Sequence, residues 1–167
     1  MRFVTDTGPL LHLHETGAWA LLPMLGTIET TPVVAAELNR HLPLHSSVEW
    51  PLWLRVARPS AAAKTTAQLW TQAGLLDQGE AEALAVARDT NADGFLTDDA
   101  EARALASTLK VEARGSLGVV LMAAAHGHIK RDEAAEFLRR LENHSTLWLS
   151  KRVRRAAHDA FRQIYHT

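Results

Sequence analysis

Twice along this chain a short apolar, β-prone run stops at an aspartate and gives way at once to a helical pattern. Arg2–Thr5 passes through Asp6 and the turn Thr7-Gly8-Pro9 into a helix opened by Leu10, Leu11 and Leu13. Gly94–Thr97 passes through Asp98 into a helix spanning Asp99–Leu109. A strand that turns straight into a helix has to return by a crossover. Strands alternating with helices therefore specify an α/β fold with a small, mainly parallel sheet. Sites in such folds lie at the carboxyl ends of the strands, and Asp6 and the Asp98–Asp99 pair both fall there.

The rest of the chain keeps to this alternation. Weaker strands are expected at Thr27–Thr31, Trp53–Ala57 and Lys110–Ala113. Helices are expected over Ala18–Leu25, Pro32–Arg40, Ala61–Ala73, Gln78–Arg88, Leu117–His126, Asp132–Asn143 and Ser150–Tyr165, with a loop over His41–Pro51. Gly115-Ser116 caps the helix that opens at Leu117. With no repeat and no long linker, residues 1–167 read as one domain with a basic helical C-terminal segment from about Lys130. The absence of cysteine excludes disulfides, thiolate metal sites and a cysteine nucleophile. No run approaches the roughly 18 to 20 apolar residues that span a bilayer, and the start does not read as a secretory leader. No membrane association and a cytoplasmic location are expected.

Further carboxylates stand in VVAAEL (Glu37) and GEAEAL (Glu80 and Glu82). Each has an ordinary structural role open to it. Asp6 can form an Asx turn or cap a helix, Glu80 suits a first helical turn, and Glu37 can be an exposed helical glutamate. One of Asp98 and Asp99 is expected to cap the following helix, leaving the other free for a ligand. Glu80 and Glu82, two apart, cannot share a helix face. If the fold gathers all these carboxylates, their mutual repulsion calls for a cation. Mg²⁺ or Mn²⁺, hard ions that favour oxygen donors, suits that donor set and points to phosphodiester chemistry. Charge is also asymmetric: 9 basic against 14 acidic residues up to Ile129, then 9 against 5. The basic end could bring a polyanion to a site that would otherwise repel it, or could simply be a solvated helix face.

Other chemistries find less support. There is no P-loop, no Gly-rich dinucleotide fingerprint and no serine-hydrolase elbow. The single Asp-Thr-Gly string lacks the second copy and the β-rich frame of an aspartic protease. His12 and His14 are wrongly spaced for joint ligation, His41 and His45 lie in a loop, and His126 and His128 flank a helix end. A phosphatase or receiver-like use of Asp6 as nucleophile would need a positioned lysine, for which Lys110 is the mid-chain candidate.

The ordered set FVTDTGPLL, VVAAELN, LDQGEAEALAVA, FLTDDAEARALA and GSLGVVLMAAAHGHI resembles the PIN-domain nucleases, and within them the branch related to VapC-type toxins of toxin–antitoxin pairs. The resemblance runs from Arg2 to about Leu149. It implies a three-layer α/β/α sandwich and a Mg²⁺- or Mn²⁺-dependent, single-strand-selective endoribonuclease, with a small antitoxin as partner and a homodimer as the assembly. Carried over, the family's acidic positions fall on Asp6, Glu37, Glu80 (with Glu82 possible) and Asp99 (with Asp98 beside it). Thr97 or Thr7 would orient water or a carboxylate. Many relatives carry aspartate at the third position, where this chain has glutamate. A catalytically degenerate binding or assembly module on the same fold is the competing expectation. Trp19–Leu25 and Leu147–Leu149 would then be its partner faces.

Overall fold

A computed structural model describes residues 1–42 and 50–166. Most of the expected His41–Pro51 loop, including His45, lies outside the described residues. Five parallel strands form one sheet in the order β3-β2-β1-β4-β5: β1 (Arg2–Thr5), β2 (Thr27–Thr30), β3 (Leu54–Val56), β4 (Gly94–Leu96) and β5 (Ala113–Arg114). Phe3 and Val4 of β1, and Phe95 and Leu96 of β4, are all buried. Unbroken apolar runs of this kind are what a parallel sheet covered on both faces requires.

Nine helices among the described residues flank the sheet. They are α1 (Thr7–Glu15), α2 (Leu21–Leu25), α3 (Pro32–His41), α4 (Ala61–Gln72), α5 (Gln78–Asp89), α6 (Ala100–Thr108), α7 (Ser116–Ala125), α8 (Arg131–Asn143) and α9 (Lys151–Tyr165). On one side α5 packs on β1 and β4, with α4 and α6 against it. On the other, α7 packs against α1, α2, α8 and α9. The result is the α/β/α sandwich that the resemblance implied, built on the parallel sheet that the alternation specified, with every described strand parallel. The residues α5 buries are small: Gly79, Ala81, Ala83, Ala85 and Ala87, with Leu84 and Val86. Small side chains let this helix lie close to the central strands.

Three elements depart from expectation. The strand expected over Lys110–Ala113 shrinks to Ala113–Arg114, because Lys110 takes a left-handed turn (φ +60°) just after α6. The helix expected from Ala18 starts only at Leu21, since Ala18–Ala20 form turns whose carbonyls at Ala18 and Trp19 accept from Leu21 and Leu22. Asp99 is a cap and not the first helical residue of α6.

Candidate active site

The chain runs β1, β2, β3 toward one edge and then returns to place β4 on the other side of β1. Strand order therefore reverses between β1 and β4, the position where open α/β sheets leave a crevice. Asp6 follows β1 and Asp98–Asp99 follow β4, so both stand at this switch point. The ladder continues past both strands: Asp6 N donates to Leu96 O at 3.0 Å, and Thr97 N donates to Arg114 O at 2.8 Å. A cavity of about 890 Å³ opens there. Its acidic lining is Asp6, Glu37, Asp77, Glu80, Asp98 and Asp99. Its cationic or titratable basic lining is His12, Arg40, His41, Arg103 and Arg152.

Asp6 is 4% exposed and caps α1, accepting from Gly8 N at 3.1 Å. Burial pushes its carboxyl well above the ordinary carboxylate range. A hydrogen bond from the Thr97 hydroxyl opposes the shift, and the negative charges of Asp98 and Glu80 add to it. The same Thr97 oxygen accepts from Asp99 N at 3.1 Å. One buried hydroxyl thus ties the aspartate of β1 to the acidic pair after β4. Asp99 caps α6 through Oδ1, which accepts from Ala102 N at 2.7 Å, leaving Oδ2 without a bond to any described residue.

Asp98 is not free for a ligand. Its Oδ1 accepts from Ser116 N at 2.7 Å, and its Oδ2 accepts from Ser116 Oγ at 2.6 Å and from His12 Nδ1 at 2.7 Å. A Cβ on Gly115 would stand 2.6 Å from Asp98 Oδ1, so only glycine lets the carboxylate seat against the start of α7. One member of the pair caps the following helix as expected, but the expectation that the other stays open is corrected, since Asp98 is bonded at both oxygens. Asp98 spends both of its oxygens on α1 and α7, and Asp99 spends one of its own on α6.

Glu37 reaches the site because α3 touches both α1 and α5. Its Oε2 accepts from the Thr7 hydroxyl at 2.5 Å. Its carboxylate also lies over Gly79, where an added Cβ would stand 2.5 Å from Oε2. Glu80 accepts from Asp77 N at 3.2 Å at the start of α5. Burial raises its carboxyl to about 6; the Asp77 bond opposes this, and the charges of Asp99, Asp77 and Glu37 reinforce it. Glu82 points elsewhere. It accepts from Val33 N at 3.3 Å and lines a separate groove between α4 and α5. The two-residue offset that bars Glu80 and Glu82 from one helix face takes Glu82 away from this cavity.

Five helices (α1, α5, α6, α7 and α9) have their N-terminal cap or first residue among those that line this cavity or bond to its carboxylates. Their positive dipole ends favour negative charge, which helps so many carboxylates share one space.

The PIN-domain family model DUF3368 matches residues 2–163. The chain belongs to the PIN-domain family. No curated protein matches it. PIN domains are generally nucleases, and PIN nucleases typically use divalent metals.

Among the described residues of this PIN domain, no three His, Asp or Glu side chains are grouped closely enough to hold a metal ion. These carboxylates are already bonded within the protein: Glu37 accepts from Thr7, Glu80 from Asp77, and Asp98 from Ser116 and His12. The donor chemistry nevertheless fits a hard divalent cation. The cavity offers carboxylate oxygens without thiolates, and Asp6 is a buried carboxylate pressed by like charges that a cation would relieve.

Sequence reasoning missed His12, Ser116, Arg103 and Arg40 as residues of this cavity or of its bonding. A signal existed for several of them. Gly8 and His12, Glu37 and Arg40, and Asp99 and Arg103 are pairs three or four apart, the spacing that shares a helix face.

Proposed function

We propose that this PIN domain is a Mg²⁺- or Mn²⁺-dependent endoribonuclease that hydrolyses phosphodiester bonds of single-stranded RNA. The observation that carries the reading is the gathering of Asp6, Glu37, Glu80 and Asp99 around one cavity at the strand-order switch of a PIN fold. These four would hold the cation. When bound, it supplies neutralisation of phosphate charge and activation of water for in-line attack. Thr97 orients Asp6 and, through Asp99 N, the start of α6. Thr7 holds Glu37 toward the cavity. Asp98, saturated by Ser116 and His12, positions α1 against α7 and is not a ligand. Arg40, Arg103 and Arg152 supply the counter-charge that a polyanion needs at an acidic floor.

The likeness of the ordered motifs to VapC-type proteins supports a biological role as the toxin of a toxin–antitoxin pair acting in the cytoplasm. A small antitoxin would restrain it, and a homodimer would be its assembly. Among the described residues no helix is long and apolar enough to cross a membrane.

A labelled RNA incubated with the protein in Mg²⁺, with chelator, and with Asp6→Asn in place of the parent tests the chemistry. Cleavage that survives both chelator and Asp6→Asn would remove the metal assignment. Growth arrest on expression, relieved by the product of a neighbouring small reading frame, tests the toxin role. A second reading draws on one observation: the site carboxylates are already bonded within the protein. A degenerate module would show no metal-dependent rise in melting temperature at millimolar Mg²⁺ or Mn²⁺.

A further inference from the structure

Trp148 is 83% exposed, yet the segment that carries it is firmly anchored. Ser145 Oγ donates to Leu141 O at 2.7 Å and accepts from Leu147 N at 3.2 Å. Thr146 N and Oγ1 donate to the Glu15 carboxylate at 2.8 and 2.9 Å. Leu147 is buried, and Ser150 caps α9 by accepting from Val153 N at 3.3 Å. A large indole left in water forgoes the burial that normally stabilises such a side chain. Here the flanking residues are fixed and the ring is held at the rim of the acidic cavity. It makes no hydrogen bond or ring contact with any described residue.

The company this ring keeps decides what it would meet. Arg40, Arg103 and Arg152 line the same cavity and form no ion pair with any described residue. Leu147 is already buried in the core and Leu149 is half-buried, so the indole is the one large apolar side chain that this segment leaves in water. An exposed aromatic face among unpaired guanidinium groups is how single-stranded nucleic acid is bound, by stacking of a base and neutralisation of its phosphates. A base inside a duplex is stacked and paired and cannot reach such a face.

We propose that Trp148 stacks an unpaired base of the RNA next to the phosphate that enters the cavity, and that this contact gives the enzyme its preference for single strands. The proposal rests on the nuclease reading above for its substrate.

Binding is measured in the Asp6→Asn background, with Mg²⁺ present, by fluorescence anisotropy of a labelled single-stranded RNA of roughly twelve nucleotides and of a duplex of the same length. Adding Trp148→Ala should weaken single-strand binding about tenfold, leave duplex binding unchanged and leave the salt dependence of log Kd unchanged. Trp148→Phe should recover most of the loss. Arg152→Gln should instead make the salt dependence shallower, by about 0.7 for one lost phosphate contact. Equal single-strand affinity in Trp148→Ala and its background overturns the proposal, and a change in sedimentation with affinity intact would assign the ring to a protein contact instead. If single strands bind through Trp148 but the parent's cleavage survives chelator and Asp6→Asn, the stacking role stands and the metal-nuclease reading falls. If the parent neither binds nor cleaves single-stranded RNA, both fall together.

Discussion

The carboxylates on the floor of the cavity stand at strand ends and helix caps (Asp6, Asp99), in a first helical turn (Glu80) or within a helix (Glu37), where a shift of one residue would carry a side chain to another face. The cations on its rim stand on helix surfaces and reach inward by length. Asp6 shares a hydroxyl bridge with the Asp99 backbone through Thr97, and Glu37 lies against a glycine with no room to spare. Arg40 and Arg152 are exposed and bonded to no described residue. A floor built in this way tolerates almost no change, and burial, with like charge adding to it, disfavours the ionised carboxyls of Asp6 and Glu80. A rim built in the other way tunes affinity by degrees.

Replacing Asp6 by asparagine should produce the largest effect. Asparagine caps a helix as well as aspartate does, so the bond to Gly8 N survives while the charge is lost. Cleavage should fall at least about a hundredfold, the scale on which displaced metal ligands and preorganised electrostatics act. In chelator above neutral pH, the variant should melt at the same temperature as the parent or higher, because a carboxylate disfavoured by burial, and further by the charges of Asp98 and Glu80, has been removed. A lower melting temperature in thermal denaturation would mean that the buried Asp6 carboxylate costs the fold nothing, and the contrast with the rim would fail.

Gly79→Ala attacks the floor by sterics alone. Its Cβ would stand 2.5 Å from Glu37 Oε2, so Glu37 must leave Thr7 or α5 must move from β1 and β4. A stability loss of about 1–3 kcal/mol is expected from overpacking of this kind. Cleavage should drop by roughly tenfold or more, since a misplacement of about 1 Å at a site can cost on the order of a hundredfold. Denaturant unfolding and single-turnover cleavage measure the two parts, and unchanged values in both would show that Glu37 has freedom the geometry denies it.

The pH dependence of the metal-free protein reads the same strain. Burial raises the Asp6 and Glu80 carboxyls above their ordinary values, so the folded state holds more protons than the unfolded state across the intervening range. Stability must then fall as pH rises. For Glu80 the window runs from its ordinary value of 4.5 up to about 6, and for Asp6 it begins at 3.8 and extends well upward. A cation competes with those protons, so its stabilising effect should grow as pH rises through the same window. Melting curves at several pH values, with and without Mg²⁺, would show the two trends opposed; trends that run together would sink the linkage.

Local patterns carry the placement of the floor. Apolar runs that end at Asp6 and Asp98 announce two strands, and residues at strand ends belong at a switch point whatever the side chains do next. The separation of Glu80 from Glu82 follows from helix geometry alone. What was not legible is how each carboxylate would be occupied. Asp98 is saturated by Ser116 and His12, far from it in sequence, and only the packing of α1 against α7 brings them together. The shortening of the strand expected from Lys110 has a similar origin. Its β-prone neighbours gave no sign that the chain would leave α6 through a left-handed turn. Of the rim, the expected basic C-terminal segment supplies Arg152, while Arg40 and Arg103 come from the part of the chain whose net charge is acidic.

The smallest effect belongs to the rim. Arg40→Gln removes one exposed cation that lines the cavity and bonds no described residue. It should raise KM for a single-stranded RNA about two- to fivefold at low salt and leave kcat unchanged, because an exposed cation on a flexible stem binds ground and transition states alike. The difference should shrink as ionic strength rises, since screening acts on exposed charges beyond about 10 Å at 0.1 M and closer in at higher salt. Steady-state kinetics across a salt series makes the comparison directly. A fall in kcat that persists at high salt would move Arg40 from the rim to the floor, as a group that acts on the reacting phosphate itself.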